Sequence, residues 1–187
     1  NESRSTFKYD PTPKSYTWSR IAQDQVTFTS PVLSSDKLVA GVGSVDLWVS
    51  IDNRDADLRA TISEVRQDGK EMFVQNGWLR ASKRELDDSK STKRRPWHKF
   101  TASSPLTPNT PTEMRIEIPP FSHVFRAGSN IRVTIDSAPG PGSESGGGYV
   151  WIFDVVPGEF DVSILHGEKR RSSVVLPTIT DPNIIAD

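Results

Sequence analysis

The sequence predicts an all-β protein, a two-sheet sandwich of jelly-roll type, and three observations carry that prediction. Short stretches with a two-residue apolar period recur along most of the chain, and none shows the wider stripe of an amphipathic helix. The 187 residues include 12 Gly and 14 Pro, a turn-rich composition suited to many short strands. The stretch from Met114 to Ala138 reads as two strands joined by a packed corner of about ten residues, which suits a crossing between sheets better than a tight hairpin. A chain of this length holds one sizeable core.

In chain order, residues 1–24 are polar, carry Pro11 and Pro13, and read as an extended arm or interdomain linker. Residues 25–180 make the sandwich and residues 181–187 a C-terminal tail. Gln25 to Pro31 is the first strand, with Val26 and Phe28 on one face. Ser44 to Ile51 is the clearest: Val45, Leu47, Val49 and Ile51 point one way, and Ser44, Asp46, Trp48 and Ser50 the other. A turn, Asp52 to Asp57, leads to the strand Leu58–Val65. Asp68-Gly69 then marks a hairpin into Glu71–Ser82, where Gly77 is expected to place a bulge or tight bend. From Glu85 to Thr112 no period is usable, and a loop of that length is expected to be functional or mobile.

Met114, Ile116 and Ile118 alternate with Arg115 and Glu117, and Pro119-Pro120 is expected to end that strand because neither residue donates to a ladder. Phe121, Val124 and Phe125 form an apolar corner. Gly128 permits a turn before Ile131, Val133 and Ile135 resume the alternation. Pro139 to Gly148 reads as a flexible connector, and YVWIF, DVSILH and SVVLP give three further strands. The predicted core is Val45, Leu47, Val49, Ile116, Ile118, Ile131, Val133 and Ile135 between two antiparallel sheets.

The Pro-Pro-Phe, His-Val-Phe and Ala-Gly elements of this stretch, followed by Ile-Arg-Val-Thr-Ile, resemble one family. It is the C-terminal, non-catalytic domain of X-prolyl dipeptidyl-peptidases, cocaine esterase and related acyl and ester hydrolases. Tyr9-Asp10-Pro11 with Pro13 resembles the segment leading into that domain, and TISEVRQDGKEMFVQNGWLRASKR resembles its Asp-Gly hairpin and Gly-x-Leu-Arg strand. The resemblance runs from about Gln25 to Pro177 and implies a galactose-binding-domain-like jelly roll. It further implies an accessory role: packing on the catalytic α/β-hydrolase domain of the same parent chain and walling its substrate cleft, with no triad residue donated. A homo-oligomer is admitted as a further partner. The rival expectation is a free-standing carbohydrate- or ligand-binding jelly-roll module, which would present an exposed aromatic platform in a shallow groove.

A formal net charge of -1 gives no pull towards nucleic acid or anionic membrane. The absence of cysteine excludes disulfides and thiolate chemistry; it leaves the compartment open, with the cytoplasm the default. No apolar run approaches the ~20 residues of a membrane-spanning helix.

No catalytic, cofactor or metal residue is expected. Ser143-Glu144-Ser145-Gly146-Gly147 is the nearest approach to a nucleophile elbow, but it lies in the connector without a following helix. His98, His123 and His166 have no ligand-spaced partners. His123, in the apolar corner, reads as packed and hydrogen-bonded. Asp52, Asp55 and Asp57 offer oxygens that calcium would accept, though without the spacing of an EF-hand loop, and read first as a turn. The basic run of Lys90, Lys93, Arg94, Arg95 and Lys99 around Trp97 and His98 reads as a solvated or interdomain loop. Trp48, Trp78, Arg80, Trp97 and His98 are the candidates for interdomain or ligand contact, Trp48 because its strand's alternation turns it away from the core.

Overall fold

The computed structural model describes residues 2–11, 24–137 and 155–179. These hold ten strands: β1 (Arg4–Tyr9), β2 (Gln25–Thr29), β3 (Lys37–Ile51), β4 (Asp57–Val65), β5 (Glu71–Arg80), β6 (Thr112–Phe125), β7 (Asn130–Ser137), β8 (Phe160–Leu165), β9 (Ser173–Val175) and β10 (Thr178–Ile179). A single 3-10 turn, Ala81–Lys83, follows β5, and no α-helix occurs among the described residues. The fold is a jelly-roll β-sandwich. One sheet is built on β3, which pairs with β6 along one edge and with β8, β9 and β10 along the other; β1 then pairs with β8. The second sheet runs β2-β7-β4-β5. Every pairing is antiparallel.

The alternation read from the sequence sets the core. Val45, Leu47, Val49, Ile116, Ile118, Val133 and Ile135 are buried between the sheets, joined by Leu58, Ala60 and Ile62 of β4 and Val162 and Ile164 of β8. Ile131 is half-buried at the start of β7 rather than central. Each such aliphatic side chain contributes about 1.5–3 kcal/mol when fully removed from water. Leu47 is 2% exposed and borders a cavity of about 190 Å³ between the sheets. Leu47→Ala should therefore cost about 2–5 kcal/mol in a denaturant titration. A loss below ~0.5 kcal/mol would mean a surface position.

Three local expectations are corrected. The arm expected over residues 1–24 contains a strand: Arg4–Tyr9 pairs along its length with β8, placing Phe7 and Tyr9 in the core and stacking Tyr9 on Phe160 at 4.3 Å. Its partner is more than 150 residues away, so no local pattern announced it. Pro119-Pro120 does not end β6. Gly41 pairs with Phe121 and Gly43 with Ile118, so both prolines stand opposite Val42 in a bulge, where missing donors are tolerated. The bulge expected at Gly77 lies instead at Val74, between the Ile62–Gln75 and Ser63–Phe73 pairs, and Gly77 pairs regularly with Ala60. The expected strand YVWIF, the connector Pro139–Gly148 and the tail lie outside the described residues.

The crossing from β6 to β7 takes only Arg126–Ser129, and a buried carboxylate organises it. Glu64 on β4, 1% exposed at its side chain, accepts from the Arg126 amide at 2.8 Å and lies 3.0 Å from His123 Nε2. Burial alone would raise its pKa, but the Arg126 amide, His123 and Ser129 together hold it below the usual carboxylate range. A depressed folded-state pKa gives stability that is present above the unfolded value of about 4.3 and lost as pH falls through the folded one. Glu64→Gln should cost about 1.5–3 kcal/mol at pH 7. Its deficit against the unsubstituted chain should shrink in urea titrations repeated towards pH 3; a deficit independent of pH would mean that the charge is not what the corner uses.

Candidate functional site

The segment from Ala81 to Pro111, joining β5 of one sheet to β6 of the other, is pinned rather than loose. Arg84 donates to the carbonyls of Ala81 and Ser104. Glu85–Asp87 and Trp97–Lys99 form a short antiparallel clip, with Asp87 N to Trp97 O at 2.8 Å and Lys99 N to Glu85 O at 3.0 Å. Leu106 is buried, and its amide reaches Arg54 O at 2.7 Å. The tip lies on the outer face of the β3–β6 pair: Arg115 Nη2 donates to the carbonyls of Thr92 and Lys93, and Arg115 Nε to Asp46 at 3.0 Å. The stretch without a period is thus held by backbone bonds and by Arg84 and Arg115.

Between this clip and the sandwich edge runs a groove of about 700 Å³, lined by Asn76, Gly77 and Trp78 of β5, Pro96, Trp97, His98 and Phe100 of the clip, and Glu117 and Pro119 of β6. Three of the five candidate residues, Trp78, Trp97 and His98, therefore meet there. β5 approaches β6 so closely that a Cβ on Gly77 would fall 1.9 Å from the Glu117 carbonyl oxygen. His98 Nε2 is buried without a hydrogen-bond partner, and burial lowers the ring's pKa, favouring the neutral imidazole.

Arg95 lies 4.8 Å and Lys90 5.7 Å from the Trp97 ring centroid. The ring therefore carries cations where a sugar platform would be bare. Around it, Lys90 pairs with Asp87, Lys99 with Glu85 and Arg95 with Glu117. Lys93 and Arg94 are exposed and form no ion pair among the described residues. Phe100 is 64% exposed and adopts φ 53, a left-handed conformation uncommon for a bulky residue. Sequence reasoning passed over Phe100, because one apolar residue in an aperiodic stretch carries no signal.

The other two candidates are elsewhere. Trp48 lies under the Gly167–Ser172 turn, its amide donating to Ser172 Oγ at 2.9 Å and Arg170 5.8 Å from its ring. Arg80 forks onto Asp57 through bonds of 2.7 and 2.8 Å. That pair also places the acidic turn: Asp57 holds Arg80, Asp55 accepts from the amides of Ala56 and Ser82, and Asp52 accepts from Asn109. Among the described residues no group of three or more His, Cys, Asp or Glu could hold a metal ion. Ser143 and Ser145 lie outside the described residues. Ser5 Oγ and His166 Nε2 are 3.1 Å apart, but no carboxylate among the described residues orients that imidazole.

Comparison with known proteins agrees with this architecture. The profile of the X-Pro dipeptidyl-peptidase C-terminal non-catalytic domain matches residues 7–175. A CocE/NonD family hydrolase from Staphylococcus aureus superposes with a TM-score of 0.76 at 26% identity, covering 95% of this chain and 33% of that one. An α-amino acid ester hydrolase, at 20% identity and a TM-score of 0.73, shares the fold over 94% of this chain and 32% of its own. A candidate serine esterase of Mycobacterium bovis is 29% identical over 125 residues, 64% of this chain and 20% of its own length. The chain thus spans about a third of the solved relatives and a fifth of the curated one.

Proposed function

The chain belongs to the family of X-Pro dipeptidyl-peptidase C-terminal non-catalytic domains, and from that premise we propose that it is the accessory domain of a serine α/β-hydrolase. The parent enzyme is of the dipeptidyl-peptidase or acyl-ester hydrolase type, and this domain packs on its catalytic domain and helps wall the substrate cleft. Its contribution is positioning rather than bond-breaking. The observation that carries the reading is the β5–β6 edge. An ordered clip presents aromatic side chains and unpaired cations to solvent there, on a chain about a third as long as its solved relatives. A contiguous apolar patch rimmed by charge is what a removed protein partner leaves behind.

Acyl transfer at neutral pH needs an activated nucleophile, an oriented base and oxyanion donors held together. The purified chain should therefore show no turnover of activated esters or of Ala-Pro and Gly-Pro chromogenic peptides, whereas the parent polypeptide should turn over at least one of these. Two serines serve as controls: Ser145, the elbow-like one, and Ser5, which lies beside His166. Turnover by the isolated chain that vanishes in Ser145→Ala or Ser5→Ala would overturn the accessory reading.

A further inference from the structure

Phe100 combines three properties that seldom coincide. It is bulky and apolar, it is 64% exposed, and its backbone sits at φ 53 in the left-handed region, where a side chain with a Cβ is strained. Among the described residues the ring's one aromatic neighbour, His98, lies 5.5 Å away in a tilted arrangement, and most of the ring faces solvent. Strain of this kind persists where surrounding structure over-determines it, and it concentrates at ligand clamps and switch regions. Here the clip does so, with Lys99 fixed to Glu85 on one side and Ser104 N bonded to Ser82 O on the other. Trp97, 39% exposed, stands beside it, and the unpaired Lys93 and Arg94 lie just before it in the same clip.

Resting on the accessory-domain reading, we propose that Phe100 is a docking knob. With Trp97 as its shoulder, it seats in an apolar pocket of the catalytic portion of the parent polypeptide, and carboxylates at that pocket's rim pair with Lys93 and Arg94. Two observations select this occupant. About two thirds of the length of the solved relatives lies outside the span this chain covers. Of the clip's three charges that form no ion pair among the described residues, Asp88, Lys93 and Arg94, the adjacent two at its tip are positive, so a partner surface with carboxylates complements them, whereas a bare aliphatic surface would leave them desolvated and unpaired. An exposed aromatic at the centre of a charged rim is also the usual anatomy of an interface anchor.

The knob role predicts opposite signs in two contexts. In the isolated chain, Phe100→Gly should leave the unfolding midpoint unchanged or raised, because relief of the left-handed strain offsets the loss of the ring's tilted contact with His98 and the freer unfolded chain. In the parent, hydroxyl-radical oxidation of Trp97 and Phe100 should fall at least about fivefold relative to the isolated chain, as an interface centre excludes water. Phe100→Gly, or Lys93→Glu with Arg94→Glu, introduced in the parent should return Trp97 towards its isolated rate. Trp97 and Phe100 oxidised equally in both contexts, with Met72 and Phe73 or another face protected instead, would overturn the knob and leave the accessory reading standing. No protection anywhere on this domain would overturn both. A lowered midpoint for Phe100→Gly in the isolated chain would assign Phe100 to the domain's own packing and likewise overturn the proposal.

Discussion

Asp136→Ala should be among the most damaging single substitutions in the chain, costing about 3–5 kcal/mol by breaking a buried ion pair. Asp136 on β7 stands directly opposite Arg59 on β4, and the side chains are 1% and 6% exposed. Arg59 Nε donates to one carboxylate oxygen at 2.9 Å and Nη2 to the other. Truncating the aspartate leaves a guanidinium that cannot shed its proton at accessible pH. The pair itself need not be strongly stabilising, because desolvating two ions offsets most of their attraction. The distinguishing measurement is the double variant Arg59→Met with Asp136→Leu, which should recover part of what the single variant loses. A single-variant loss below ~1 kcal/mol in guanidinium titration would mean that water reaches the site.

Gly77→Ala should cost about 3 kcal/mol, the upper end of what overpacking exacts. The added methyl would lie 1.9 Å from the Glu117 carbonyl oxygen and 3.2 Å from Ile116 Cγ2. The first neighbour is backbone, so no rotamer change relieves the clash and β5 must move from β6. Gly69→Ala is the contrast. At φ 79 in the β4–β5 turn, with open space around it, it should cost only the left-handed penalty of about 1–2 kcal/mol. Because Gly77 also lines the groove, its substitution should shift the emission of Trp78 and Trp97. Equal costs at the two glycines would remove the close approach as the explanation.

What the sequence made legible is what is local. The two-residue period of β3, β4, β6 and β7 follows from each strand having one face on the core, and it survives without knowledge of partners. β1 and β10 are short, and their pairing is fixed by residues far away, so propensity alone leaves them ambiguous. The prolines at 119 and 120 do not end β6, because their cost depends on what lies across the ladder, and Val42 in a bulge asks for no donor there. Gly77 is ambiguous for the same reason: a strand glycine marks either irregularity or close approach, and only the neighbouring sheet decides. The groove was half visible. Trp78, Trp97 and His98 stood out as residue types, but their convergence is a property of the crossing from β5 to β6. Arg80 and Trp48 drew attention for the same chemistry and are committed to Asp57 and the Gly167–Ser172 turn. Phe100 differs: its distinguishing feature is a backbone angle.

The bulge at Pro119-Pro120 also bears on how the chain behaves in a crowd. Among the described strands β6 pairs with β3 alone, which leaves it at the rim of its sheet. Amides of successive residues in an extended strand point to opposite edges, so two consecutive prolines silence one donor towards β3 and one towards solvent. A strand from a second copy, approaching this rim while the chains are newly made and concentrated, meets a gap in the ladder and a backbone bent out of register. Both prolines are exposed, where they obstruct such an approach most directly. The rim is thereby a poor template for intermolecular β-addition and aggregate growth.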